Sequence, residues 1–267
     1  ESARSVQSRC RDSTVPYAPV KDNLLDFYDE GQTVQNTVYV SGASDNSTYY
    51  LSLGQQKTKG IVPDDEFKKT TFKVNATKQM GDLSLKFTSN YYRANQNVVG
   101  DDIGDQDRTL YWFVLNTPAN IPLSTYKDWD NPDSYAYADN YFNAYYQNPY
   151  WAIGTNRDID HYSRLISNIE ASYKLNDWAS LTTRLSINTG NGYGKYWRAE
   201  QTYDPVLQPA HSTVSSFVTD SEYSFTTYSS FGALTIERDL MEDVSMTAIL
   251  GANSDTEHSR SSAIAVT

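Results

Sequence analysis

Tyr111, Trp112, Phe113, Trp129, Tyr135, Tyr137, Tyr141, Phe142, Tyr145, Tyr146, Tyr150 and Trp151 crowd a single stretch of the chain. Aromatic planes at this density stack on sugar rings or pack against a protein partner. The same rings can instead fold the stretch on itself as a small satellite core. Trp112, Trp129, Trp151, Tyr135 and Tyr141 are therefore the candidate ligand or partner contacts. Trp151 is nearest to a structural role, because Asn148-Pro149-Tyr150-Trp151 lies close to the strand that follows.

Acidic residues supply a second possible chemistry. Asp101, Asp102, Asp105 and Asp107 surround Gly104, and Asp128, Asp130 and Asp133 follow. Calcium takes six to eight oxygens, and dense Asp can offer several, so the first group is a weak calcium candidate. The EF-hand spacing is not met, and a solvated acidic loop is the alternative. No other cofactor is expected, and no other metal.

Catalytic patterns are missing. His161, His211 and His258 fall in no metal-ligand spacing, and neither a nucleophile elbow nor a P-loop occurs. Gly190-Asn191-Gly192-Tyr193-Gly194 opens no helix and so lacks the N-terminus that binds phosphate. It reads as a flexible strand end or loop. Among 33 acids no pair stands out as glycosidase carboxylates. The chain is not expected to be an enzyme.

Composition narrows the class further. Apolar residues make up 39% of 267, within the range of a folded chain, while 22 Tyr accompany a net charge of -11. That charge excludes nucleic acid as a partner, since phosphate binding needs a basic face. One cysteine, Cys10, forbids an internal disulfide. No run of 18 apolar residues is present, which rules out a membrane-spanning helix but not a barrel, whose strands alternate. The chain opens at Glu1 without a signal segment, and processing or truncation is the expected reason.

The elements that must carry these residues are strands. Residues 1–32 form an irregular lead-in with one short helix after Asp22-Asn23, stopped at Gly31. From residue 33 to 267, period two dominates: Phe72, Val74 and Ala76; Leu83, Leu85 and Phe87; Leu165, Ile169, Ala171 and Tyr173; Leu181, Leu185 and Ile187; Val244, Met246, Ala248 and Leu250. Short turns at 43–46, 80–82, 176–177 and 241–243 alternate with long polar connections at 55–69, 95–160 and 189–222. Strict alternation of short and long connections predicts about eight antiparallel strands in an all-β transmembrane barrel, with long extracellular loops near 95–160 and 189–222. A soluble antiparallel protein with one wet face is the competing reading.

Two blocks then carry a family resemblance. Val38 through Gly54 with Lys59-Gly60-Ile61-Val62, led in by Tyr17 through Phe27, resembles a stretch of the SusC/RagA-type TonB-dependent outer-membrane transporters. Asn148 through Trp151, then Arg164 and Tyr173 through Thr182, is similar to a second. Ala43 stands where that family more often shows a second Gly. The resemblance implies an internal fragment of a larger plugged barrel, in the bacterial outer membrane and against its lipid. It implies uptake of oligosaccharides or peptides with a SusD-type surface lipoprotein as lid. Energy would come from the TonB complex, through a part of the protein outside this chain. A secreted β-sandwich that binds glycans or acts as an adhesin is the alternative, and a β-rich glycoside hydrolase a further one.

Overall fold

The computed structural model describes residues 17–101, 103, 108–138, 140–142, 146–202, 206, 209 and 212–267. Eight strands run in chain order: β1 Gln32–Ser44, β2 Ser47–Lys59, β3 Glu66–Met80, β4 Leu83–Val99, β5 Asn156–Asn176, β6 Ala179–Arg198, β7 Phe217–Met241 and β8 Val244–Val266. Each pairs antiparallel with the next, giving one sheet in the order β1 to β8. All eight strands share that single sheet, so the two-sheet sandwich is not the architecture. Among the described residues the outer edges of β1 and β8 carry no partner strand.

Tight turns fall where the sequence places them, between Ser44 and Ser47, Met80 and Leu83, Asn176 and Ala179, and Met241 and Val244. The strands run further than the alternation suggests, β7 reaching 25 residues. Residues 189–198 and 217–222, expected in a loop, continue β6 and β7. A bilayer is crossed in about 9–11 strand residues, and β7 and β8, at 25 and 23 residues, are more than twice as long. Beyond the apolar band hydrophobic alternation stops while the hydrogen-bonded ladder continues.

The two faces are sorted in the reverse sense to a soluble protein. One face carries Val38, Leu53, Phe72, Leu185 and Leu250, which are 74%, 56%, 44%, 56% and 78% exposed. The other carries polar residues in more enclosed positions, such as Ser52 and the inward glycines of β6. An apolar outside around a polar inside is the pattern of a membrane barrel wall. Arg184 donates through Nε to Glu170 at 2.8 Å on the inner face, with Nη2 on the same carboxylate.

The apolar band is also slanted. Paired positions link Val38 through Leu53, Phe72, Tyr91, Leu165, Thr189 and Thr226 to His258. In β8, however, the apolar run centres on Ala248, displaced ten residues from His258 toward the short turn. At about 3.3 Å per residue and about 4.8 Å between strands, the slant across the sheet is about 45°. Strands of a transmembrane barrel tilt by about 35–45°. The slant of the apolar band thus matches that of a level band drawn across tilted barrel strands.

The lead-in departs from expectation. Residues 21–28 turn without forming a regular helix, and Asp22 adopts φ 55°. Asn23, read as a helix cap, instead binds the long connection: its Nδ2 donates to the Ile121 carbonyl at 2.6 Å and its Oδ1 accepts from Leu123 N at 2.9 Å. Tertiary bonding has replaced local capping. Asn23→Ala is expected to free the lead-in at a cost of about 1–3 kcal/mol. Faster hydrogen exchange at residues 20–28, with β1 unchanged, is the measurement that checks it.

Candidate functional site: a packed cap at the long-connection end

The enclosed hydrophobic cluster does not lie under the sheet. It lies at the end where the long connections emerge, and joins the lead-in, the β2–β3 loop and the β4–β5 connection. Phe27, Val62, Ile103, Leu110, Phe113, Val114, Leu123, Tyr141, Tyr150, Trp151, Ala152 and Ile153 form it. Two short helices supply much of this cluster, α1 Leu110–Leu115 and α2 Pro149–Thr155. They escape a periodicity search because six or seven residues span barely two turns. The start of α2 carries a local signal nevertheless. Asn148 accepts from Tyr150 N at 3.0 Å, with Pro149 at the first helical position, the preferred opening pair.

Arg157, at the start of β5, ties these pieces together. Its Nη1 lies 3.2 Å from Asp65 Oδ1, its Nη2 donates to the Asp64 carbonyl at 2.9 Å, and its Nε donates to Asn97 Oδ1 at 2.9 Å. Asp65 Oδ1 also accepts from Val99 N at 2.9 Å. One guanidinium fork therefore joins the β2–β3 loop, the end of β4 and the start of β5. Burial pushes the Asp65 carboxyl above the usual carboxylate range, although the Val99 N–H and Arg157 both pull it down. The sequence offered no sign of this pair, whose members lie far apart in the chain.

Inside the cap, Tyr150 packs its ring 4.9 Å from Phe27. Its hydroxyl has no hydrogen-bond partner among the described residues. Burial, with Asp29 and Asp26 nearby, pushes its pKa up to about 12, so the phenol stays protonated. The lead-in is held a second time at this point, since Phe27 is 1% exposed.

The five aromatic candidates separate by position. Trp151 and Tyr141 are 7% and 8% exposed and belong to the cap's own core. Tyr141 lies 2.6 Å from Thr117 Oγ1. Trp129 is half-buried and lies so close over Gly154 that a Cβ there would come within 2.0 Å of its ring. Trp112 and Tyr135 remain 41% and 44% exposed. The Arg108 guanidinium sits 4.6 Å above the Trp112 ring, while Tyr135 donates its hydroxyl to the Thr125 carbonyl at 2.7 Å. Both remain substantially exposed while held in place by these contacts. The crowded aromatic stretch thus divides into a self-packed half and an outward half.

Other candidates are placed less fully. Asp101 is exposed, while Asp102, Asp105 and Asp107 lie outside the described residues, as do Cys10, Tyr145 and His211. Asp128 and Asp133 are engaged in a local turn through Asn131. The Gly190–Gly194 run is not a loop: it sits within β6, paired on both sides. Its inward glycines make room for rings, since a Cβ at Gly192 would meet Tyr223 at 2.2 Å and one at Gly190 would meet Phe225 at 2.7 Å.

No family model and no curated protein matches the chain. Solved structures do share its fold. The RagAB peptide importer in the closed-closed state superposes with a TM-score of 0.64 at 14% identity, over 98% of this chain and 32% of that one. A RagAB peptide transporter structure gives 0.62 at 14% identity with the same coverages. The open-open state gives 0.60 at 16% identity, over 91% and 30%. The chain therefore spans about a third of the length of these importer chains.

Proposed function

We propose that this chain is a wall segment and part of the outer cap of a TonB-dependent outer-membrane importer. The observation that carries the reading is the inverted sorting of the sheet, apolar outside and polar inside, with its packed cap at the long-connection end. The shared fold with a peptide importer favours peptides over oligosaccharides as cargo. A SusD-type surface lipoprotein would close over the cap, and the TonB complex would drive uptake from the opposite side. In this arrangement the wall excludes lipid, the cap holds the loops in place, and the exposed aromatics meet cargo or lid. No bond is made or broken by the chain.

The test is uptake by cells producing the intact importer, compared with a deletion strain. Labelled peptides should accumulate only in the former, and only with a functional TonB complex. Uptake independent of the importer would overturn the reading. Within the cap, Trp112→Ala is expected to lower peptide uptake or lid association about five- to tenfold with unchanged surface abundance, as loss of an aromatic anchor does. Unchanged uptake and lid binding would return Trp112 to a purely structural role.

A further inference from the structure

The inward face of β3 to β7 concentrates cations and aromatic rings that wall-building alone does not require. One hydrogen-bonded row runs Thr71, Tyr92, Arg164, Gly190 and Phe225. The next row toward the long connections runs Lys69, Ala94, Tyr162, Gly192 and Tyr223. The next toward the short turns begins with Lys73 and Asn90. Alternation sends all of these to the polar, inner side.

Lys69 Nζ lies 4.7 Å above the Tyr92 ring, and the Arg164 guanidinium lies 5.5 Å from the Phe225 ring. Tyr92 and Tyr162 meet edge to face at 6.1 Å. Arg164 donates through Nε to Asn188 Oδ1 at 2.8 Å, which fixes its plane and leaves its terminal nitrogens uncommitted. Lys69, Lys73 and Arg164 form no ion pair among the described residues, whereas Glu170 is already taken by Arg184. Asp160, also inward, lies further along β5 toward the long connections, and Asp255 and Glu257 face inward on β8, Glu257 in the row of Lys73, but none of them forms an ion pair with these cations. Asn90 Oδ1 is buried on this face without a hydrogen-bond partner. In a chain with a net charge of -11, three cations without an ion-pair partner on one inner patch favour an anionic counterpart.

The geometry points to this wall as a binding surface for extended acidic peptides, an inference that rests on the importer reading. Lys69 and Lys73 are about 13 Å apart along β3, and Arg164 stands two strands, about 10 Å, from Thr71 between them. Carboxylates on one side of an extended peptide recur about every 7 Å, so alternate acidic residues reach successive cations. Tyr92, Tyr162 and Tyr223 offer ring faces for the intervening side chains. Gly190 and Gly192 leave room for the Phe225 and Tyr223 rings directly over β6. A neutral oligosaccharide would use the rings and leave the cations unmatched.

The experiment follows uptake of three fluorescent probes by cells producing the intact importer. They are a nonapeptide with Glu at alternate positions, its Gln counterpart, and an oligogalacturonate. In Lys69→Gln/Lys73→Gln/Arg164→Gln, Glu-peptide uptake should fall at least tenfold and Gln-peptide uptake less than twofold. The single Arg164→Gln should lower Glu-peptide uptake about threefold, and it carries the test where the triple variant fails to assemble. Equal losses for Glu and Gln peptides, or no loss, would overturn the inference and leave peptide transport standing. A selective loss for the oligogalacturonate alone would assign the wall to acidic sugars and overturn it too. A wild-type importer that accumulates neither peptide would remove the transport reading and this inference together.

Discussion

Arg157→Ala is expected to loosen the cap by about 3–5 kcal/mol, the loss that follows when one partner of a buried ion pair is removed. The side chains of Arg157 and Asp65 are only 8% and 15% exposed, so water cannot take over the vacated contacts. Asp65 would keep the Val99 N–H and lose its compensating charge. Two carbonyl oxygens, of Asp64 and Ile153, and Asn97 Oδ1 would lose a donor at the same time. Arg157→Lys should recover part of the loss, because an ammonium restores the charge but not the planar fork.

The variant should also acquire a pH dependence of definite sign. The Asp65 carboxyl already sits above its ordinary range because burial outweighs Arg157 and Val99. Without Arg157 it moves further up. A carboxyl that holds its proton more tightly folded than unfolded gains stability as pH falls through its folded value. Limited proteolysis of the β4–β5 connection should therefore be fast in Arg157→Ala at pH 7.5 and slower at mildly acidic pH, while the parent protein stays resistant at both. A variant as resistant as the parent at pH 7.5 would show that Arg157 does not hold the cap.

Legibility in the sequence follows the medium each segment meets. Where lipid lies on one side and the interior on the other, side chains must alternate. Phe72-Val74-Ala76 and Leu181-Leu185-Ile187 accordingly announce their strands and faces. Beyond the apolar band that pressure ends, so Gly190–Gly194 reads as a flexible strand end or loop although β5 and β7 pair with it. The cap depends on contacts between distant segments, Asn23 with Ile121 and Leu123, Asp65 with Arg157. No local pattern encodes such pairs. Aromatic density did mark the cap as a place of interest. Which rings pack and which remain outside was decided by α1 and α2, each too short to show a period.

The face assignment yields the second large effect. Leu185→Arg should impair membrane assembly at a cost of about 2–4 kcal/mol, the penalty for a cation on the lipid face near the midplane, and Leu85→Arg, beside Lys78 and near the short turn, by less. Leu185 is 56% exposed on the apolar face, paired with Ile169 in β5 and Ser230 in β7. Leu85 pairs with Ala171 in β5 and with Lys78 in β3 on the same side, close to the β3–β4 turn. A lysine already stands beside Leu85 on that face, whereas Leu185 has only Ile169 and Ser230 in its row. The inner face supplies the control. Lys86→Ala removes an exposed inward cation with no described ion-pair partner, and should cost well under 1 kcal/mol. Arg184→Ala breaks the pair with Glu170, whose other side is the polar interior, and should cost about 1 kcal/mol. Heat-modifiable barrel recovered from the membrane fraction measures all four. Adjacent residues on one strand, Arg184 and Leu185, should then differ by more than residues far apart on a shared face. Should the inward and outward substitutions reduce assembly equally, the sheet does not separate lipid from an interior. Its apolar face would then need a different cover.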